Sequence, residues 1–373
     1  MSQSLIVCCD GTWDRPKEAS GGVPTCTNVL KLHNGLASTA KSGERQQALY
    51  HDGVGADGGK LEHWLGGLFG KGLAQNVRDC YQFLATHFTP GDRIYLFGFS
   101  RGAYTARSLA GMVRNCGILR PGQLDLIDEA FKLYRDRGDD SAPSGARARA
   151  FRSGHAWHDE TPIHVVGVWD TVGSLGFPSP IPLVHRWWGF HDSDLSRIVS
   201  NAFHGIAIDE RRRPFQPTIW TRQNAPPNQV LEQVWFSGVH RGVGGGYADP
   251  DLADIALHWM VRRAAACDIA FKDGYFAVDW EAPDVSSRCR GETIRPSWDG
   301  PWNESRTGLW KLMAPRWRSI PYGPPERRDL TNQSVSNTAK ERLEEGVSIS
   351  PQLNAYLDGT PVVTQVFPNP VPR

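Results

Sequence analysis

The sequence predicts an α/β fold with a mostly parallel central sheet, helices on both faces and long loop insertions. Three observations carry this prediction. Short continuous apolar runs such as Leu5-Ile6-Val7-Cys8-Cys9 alternate along the chain with longer segments of helical periodicity. The runs lack polar alternation, as strands buried on both faces require. One run, Ile94-Tyr95-Leu96-Phe97, passes through Gly98-Phe99-Ser100-Arg101-Gly102 directly into a helical segment.

Taken in order, Leu5–Cys9 reads as a buried strand that ends in the turn Asp10-Gly11-Thr12. Residues 14–27 are polar and rich in Gly and Pro, a loop. Residues 27–37 read as a helix capped by Thr27 or Asn28, and 47–55 as a second strand and loop. Apolar residues at 73, 77, 80, 81, 84 and 88 make one helical stripe. A third strand at 93–98 precedes a helix at 102–117 that Gly117 stops. A charged helical piece near 123–137 leads into a Ser/Gly/Arg-rich stretch. Residues 162–173 form another buried strand, and 174–190 are apolar and Pro-rich with Trp187-Trp188. Residues 196–212 begin helical and end in a charged cluster. Residues 231–247 run from a strand into a Gly-rich loop, and 251–268 form a strongly periodic helix. The remainder is loop-rich. The expected organisation is a catalytic core over 1–268, with a lid-like insertion at 173–195, and a C-terminal extension over 269–373 packed on that core.

At 373 residues the chain is long enough for a large core. Its net charge of +1, without a long basic run, argues against nucleic acid as the main partner. Seven cysteines include no CxxC pair, so a zinc ribbon or redox motif is not expected. Cys8 and Cys9, in an apolar strand, read as buried thiols, and the chain reads as made in a reducing compartment. The N-terminus has no basic region before its short apolar stretch, and no run of about 18 apolar residues occurs. The expectation is cytoplasmic synthesis, with any export independent of a cleaved signal.

The serine between two glycines is the chemical signal. A GxSxG string alone is weak in a glycine-rich chain. Placed between a buried strand and a helix it is the nucleophile elbow of α/β-hydrolases, so the fold is expected to be α/β-hydrolase-like. Gly98 and Gly102 are expected to spare a clash in the tight turn. The competing reading is a strand–helix turn in which Ser100 merely caps the helix. A nucleophilic serine needs a base and a group to orient it, here in the order Ser, acid, His. Asp170 closes the strand His164-Val165-Val166-Gly167-Val168-Trp169, and His240 closes Val234-Trp235-Phe236-Ser237-Gly238-Val239. Val243-Gly244-Gly245-Gly246 follows, a bare backbone that a substrate could approach. Asp209 is an alternative acid, and with Glu210 it either orients His240 or pairs with Arg211–Arg213. For the oxyanion, one N–H is expected from Arg101 and another from Gly11 or Thr12, with Asp10 bracing that loop.

Two other classes compete with this reading. Phosphatases of the haloacid-dehalogenase type begin DxDGT, and Cys8-Cys9-Asp10-Gly11-Thr12 approaches that string with Cys8 where the nucleophilic Asp would stand. A non-catalytic binding module that keeps only the fold is the other.

The combination of Asp10-Gly11-Thr12-Trp13, GFSRGAYTAR (98–107), VGVWDTVG (166–173), Asp209-Glu210-Arg211-Arg212 and WFSGVHRGVGGGY (235–247) resembles the catalytic domain of the type VI secretion lipase effectors of the first class. The resemblance runs from Asp10 to about Met260 and thins beyond. It implies phospholipase activity on glycerophospholipid acyl esters, with Ser100 as nucleophile, Asp170 as acid and His240 as base. That family usually reads His-Ser-Asp-Val or His-Ala-Asp-Val before the glycines. Here His240-Arg241-Gly242-Val243 replaces the acidic residue, a change that bears on substrate choice. The extra membrane-anchoring domain of the larger effectors is expected to be absent.

The reaction so implied is carboxylic ester hydrolysis that needs no metal or organic cofactor. Its expected partners are a lipid or small ester and, transiently, a membrane surface; a soluble short-chain ester is the alternative substrate. Two apolar stretches, 61–73 and 173–190, are expected to cover the site or to touch lipid, unless they are ordinary packed loops.

Overall fold

Along β1 (Gln3–Cys9), Leu5, Val7 and Cys9 point into one apolar core while Ile6 and Cys8 point into another. A strand that is apolar on both faces can be stable only between two layers, and the rest of the fold supplies them. In the computed structural model, residues 2–11, 25–53, 68–172, 194–223, 225–276, 287–289, 292–294, 296–348 and 350–366 are described.

The strands are β1, β2 (Arg45–His51), β3 (Arg93–Phe99), β4 (Ile163–Trp169), β5 (Val199–Ala207), β6 (Val230–Phe236), a separate antiparallel pair β7 (Ser287–Cys289) and β8 (Glu292–Ile294), then β9 (Gln333–Ser336) and β10 (Val363–Thr364). Eight of them form one sheet in the order β10-β9-β6-β5-β4-β3-β1-β2. Every neighbouring pair in it is parallel. The expected α/β architecture is therefore present.

One face is covered by α2 (Leu68–His87), α3 (Arg101–Cys116), α4 (Ile127–Arg135) and α5 (Ala146–His155), whose Val77, Leu84, Leu109, Leu133 and Phe151 join Leu5 and Val7. The other is covered by α1 (Asn28–Gly35) and α7 (Asp251–Ala266), with Val29, Leu32, Leu257 and Met260 packed on Ile6 and Phe97. Between them in the chain lies the short α6 (His240–Gly244). Strand order changes direction between β1 and β3, and at such a point the loops after the strands part to leave a crevice. No helix among the described residues is long and apolar enough to cross a membrane.

Two expectations are corrected. Residues 199–207 are strand β5, not the start of a helix. Ile198, Val199, Ala202, Phe203 and Ile206 have near-helical spacing, but a strand between β4 and β6 is buried on both faces and needs no alternation. The Ser/Gly/Arg-rich stretch, to which the sequence reading assigns no element, contains helix α5, and its Ala and Arg residues are good helix formers. The region after 268 is more than a loop-rich extension. It supplies β9 and β10 to the main sheet, together with α8 (Asn337–Glu344) and α9 (Pro351–Leu357). Gln333-Ser334-Val335-Ser336 has no apolar run to announce a strand; β9 is recruited by its hydrogen bonds to β6. Val335, Ala339 and Leu353 then close a third apolar cluster over Ile206 and Trp235.

Candidate active site

β3 ends at Phe99, and α3 begins at Arg101, so a single residue makes the turn. That residue is Ser100, with φ 56° and ψ −115°, a region that L-residues seldom occupy. Its amide is held by the carbonyl of Trp169 at 3.1 Å. The tightness explains the flanking glycines. A Cβ on Gly102 would lie 2.0 Å from the carbonyl oxygen of Cys9 in β1, and one on Gly98 would lie 2.4 Å from the carbonyl oxygen of Gly102. Ser100 does not cap α3 with its side chain.

The hydroxyl faces His240 instead, with Oγ 2.7 Å from Nε2. Nδ1 of the same ring lies 2.5 Å from Oδ2 of Asp170. Ser100 and His240 are 6 % and 5 % exposed and Asp170 is fully buried, so water competes little for these bonds. Each residue sits just past the C-terminal end of a strand: Ser100 after β3, Asp170 after β4 at φ 39°, and His240 after the turn that follows β6. The parallel sheet thus brings together three side chains spread over 140 residues.

Proton positions follow from the acid. Burial would raise the Asp170 carboxyl, but the Arg318 guanidinium and the His240 ring outweigh it and hold the acid well below its usual range. An ionised carboxylate only accepts, so Nδ1 of His240 donates to it. Nε2 is left as the acceptor, and the Ser100 hydroxyl donates. Burial lowers the pKa of His240, against the pull of Asp170, so the ring is neutral at pH 7. Its faces are packed by Phe99, with ring centroids 4.7 Å apart, and edge-on by Phe215 at 5.1 Å.

Arg318 is the residue that sequence reasoning missed. Its Nη1 is 2.6 Å from Oδ1 of Asp170 and its Nη2 is 3.0 Å from Oδ2. It also donates to the carbonyls of Ala207 and Phe215. The amide of Ala207 completes the set on Oδ1 at 3.0 Å. Nothing local marks Arg318 among the 41 Lys and Arg residues of the chain.

Asp209 does not orient His240. Its Oδ2 accepts from the amide of Gly238 at 2.6 Å, and its own amide donates back to Gly238, so it pins the turn that leads to the histidine. Glu210 pairs with Arg212, the second of the two alternatives, and touches His240 only at its backbone. Oε2 accepts the backbone N–H of His240 at 3.2 Å, and both its oxygens are held by Arg212. Asp10 braces its loop, accepting from Thr27, from Tyr50 and from the amide of Gly11. The last bond, at 2.7 Å, corrects the oxyanion expectation for Gly11: its N–H is spent on its own neighbour. Thr12 lies outside the described residues. Arg101 is the first residue of α3, directly after Ser100.

Gly244 and Gly245 are packed against neighbours and not left bare for a ligand. A Cβ on Gly244 would lie 1.9 Å from the Phe99 ring, and one on Gly245 would lie 2.7 Å from the amide of Asn28. They let α6 pack against the elbow and α1. At Gly242, where the resembled family has an acid, a Cβ would meet only the Val239 side chain, at 3.9 Å. Cys8 is fully buried inside β1, where burial pushes its thiol up, away from the thiolate a nucleophile would need. Of the two apolar stretches and the lid-like insertion, residues 61–67 and 173–193 lie outside the described residues. Among the described residues no cluster of His, Cys, Asp or Glu could hold a metal ion.

Comparison with known proteins agrees with the resemblance. Over 237 residues the chain is 33% identical to an uncharacterized protein of Saccharomyces cerevisiae, covering 59% of this chain and 33% of that one. Among solved structures, an uncharacterized protein from Pseudomonas aeruginosa aligns with a TM-score of 0.41 and 16% identity, over 75% of this chain and 48% of its own. The Tle1 effector bound to the VgrG spike from the type 6 secretion system aligns at 0.38 and 17%, over 66% and 52%. The chain spans a third of the length of the curated relative and about half that of the two solved structures. The model of the type VI secretion phospholipase effector Tle1-like catalytic domain matches residues 3–263, well over half of the chain, and the protein belongs to that family.

Proposed function

We propose that the protein hydrolyses acyl esters of phospholipids, with Ser100 as nucleophile, His240 as general base and then acid, and Asp170 as the carboxylate that fixes the ring. The family is one of phospholipase effectors, which supports an ester substrate carried by a lipid. The observation that carries the residue assignment is the unbroken series Ser100 Oγ to His240 Nε2 at 2.7 Å and His240 Nδ1 to Asp170 Oδ2 at 2.5 Å.

In the first half-reaction, Nε2 of His240 takes the hydroxyl proton as Oγ adds to the ester carbonyl carbon. The carbonyl electrons move to oxygen, and the N–H of Arg101 at the head of α3 meets that oxyanion. The imidazolium is stabilised by Asp170 and gives its proton to the departing alcohol oxygen as the carbon–oxygen bond breaks. In the second half-reaction, water loses a proton to Nε2 and attacks the acyl-serine. The proton then returns to Oγ, and a fatty acid leaves.

The test is fatty-acid release from phospholipid vesicles and from a dispersed chromogenic ester by wild type and Ser100→Ala. Wild type should act on both, and the alanine variant should fall by about a thousandfold or more. Undiminished turnover by Ser100→Ala would remove the serine from the mechanism. Turnover of the soluble ester alone would reduce the reading to a soluble carboxylesterase. Mg²⁺-dependent release of phosphate from a phosphomonoester would revive the phosphatase alternative.

A further inference from the structure

The stretch from Ser305 to Arg318 reaches the candidate site at three points. At one end, Ser305 Oγ donates to Oε1 of Glu210 at 3.0 Å, the same carboxylate that holds the His240 amide. At the other end, Arg318 grips Asp170. Between them the Trp310 ring meets Phe215 edge-on at 5.8 Å, and Phe215 meets His240. The strap is braced within itself and against Arg211. Arg306 donates to the carbonyl of Met313 at 2.6 Å, and the amide of Arg316 donates to the carbonyl of Arg211 at 2.9 Å. The Arg211 guanidinium lies 5.1 Å from the ring of Trp302 and 5.0 Å from that of Trp317.

Its outer side is apolar and cationic. Leu312 is 83 % exposed, well beyond any other large apolar side chain among the described residues. Trp302 is 38 % exposed, Trp310, Met313 and Trp317 are half-buried, and Trp302 and Trp317 share the Arg211 guanidinium. Of the four Lys or Arg in residues 305–318, Lys311 and Arg316 are exposed beside them, while Arg318 is buried on Asp170 and Arg306 holds the Met313 carbonyl; the segment contains no acid. The adjacent acid, Glu304, is paired with Arg211 at 2.6 Å.

A protruding leucine flanked by indoles and cations suits the boundary of a bilayer. The leucine enters the acyl region, the indoles lie at headgroup level, and the cations meet anionic headgroups. A protein partner would call for a broad apolar patch, of order 800 Å² on each side, rather than one projecting tip. We propose that the apex of this strap, residues 308–317, seats the protein on an anionic phospholipid bilayer. This rests on the ester-hydrolase reading and deepens it. The ends of the strap hold the carriers of the triad, and its apex turns the site toward the lipid that bears the ester.

The proposal is tested by co-sedimentation of Ser100→Ala, which leaves vesicles uncleaved, with phosphatidylglycerol and with phosphatidylcholine vesicles. Binding to phosphatidylglycerol should be the stronger and should weaken as salt is raised. Adding Leu312→Asp and Lys311→Glu should weaken it about tenfold or more. Circular dichroism and the melting temperature show whether that variant is folded, and Leu312→Trp should restore or exceed the parental binding. Failure of Ser100→Ala to bind phosphatidylglycerol, or equal binding by the folded double variant, would overturn the proposal. Turnover of a soluble ester by wild type reads the hydrolase assignment separately. A protein that binds these vesicles through Leu312 but cleaves no ester would support the docking surface and sink only the hydrolysis.

Discussion

Arg318 holds Asp170 in a two-pronged ion pair, 2.6 Å from Nη1 to Oδ1 and 3.0 Å from Nη2 to Oδ2, with both side chains fully buried. The pair joins the acid after β4 to a segment 148 residues later. It keeps the carboxylate ionised and therefore able only to accept, which sets the tautomer of His240.

Removing this guanidinium should be costly in two distinguishable ways. Arg318→Met leaves a carboxylate buried without its cation, a loss of about 3–5 kcal/mol that urea unfolding would register. With less positive charge near the ring, the His240 imidazolium becomes easier to form, so the acid limb of kcat/KM should move to higher pH. Arg318→Lys keeps the charge but loses the fork, and should lie between the two in both measurements. A stability loss with an unmoved pH profile would leave Arg318 a structural residue only.

The backbone at Ser100 gives a second prediction. At φ 56° the residue stands where glycine is at ease and a Cβ is strained. Ser100→Ala and Ser100→Gly both lose the hydroxyl, yet they should differ in stability, the glycine variant being the more stable by about 1 kcal/mol in denaturant unfolding. Equal midpoints would mean that the turn carries no strain.

The glycines should divide by their surroundings. Gly102→Ala drives a methyl against the Cys9 carbonyl and Gly244→Ala drives one into the Phe99 ring, so each should cost about 3 kcal/mol or prevent folding. Gly242→Ala, with nothing nearer than 3.9 Å, should stay within about 1 kcal/mol of wild type. Thermal melts of the three variants check the order.

Buried histidines predict acid sensitivity. Burial holds His204 down to about 3 and His258 to about 4, with nearby Arg107 and Lys31 adding to it, and lowers His240 as well. In the unfolded chain each would take up a proton near 6.5. Below that pH the unfolded state therefore binds more protons, and stability falls as pH drops. The urea midpoint should decline steadily from pH 7 toward pH 4. A flat profile over that window would contradict the burial of these rings. On the proposed mechanism the base is neutral His240, whose pKa burial lowers, so ester turnover should persist below pH 6.5.

The parts of the fold and site legible in the sequence are those written in local pattern. Leu5–Cys9 and residues 93–98 read as strands because burial on both faces leaves uninterrupted apolar runs, Leu5–Cys9 and Ile94–Phe97. Ser100, Asp170 and His240 could be singled out because each follows such a run at the point where a parallel sheet exposes its loops. What stayed hidden depends on partners far along the chain. Val199–Ala207 has helical spacing and becomes a strand through its neighbours on either side. Gln333–Ser336 has no apolar pattern and gains its place by edge pairing. Arg318 is one basic residue among many, distinguished only by the carboxylate it meets. The N–H of Gly11 turns to Asp10 by a rotation that no spacing foretells.

Because β9 and Arg318 both follow the span matched by the family, the constellation around Asp170 is completed only after the ribosome has moved well beyond that span. A nascent chain that has reached α7 already carries serine, aspartate and histidine, but its acid still waits for a countercharge to be translated. Synthesis itself would thus delay the ion pair that fixes Asp170 until residue 318 has left the ribosome.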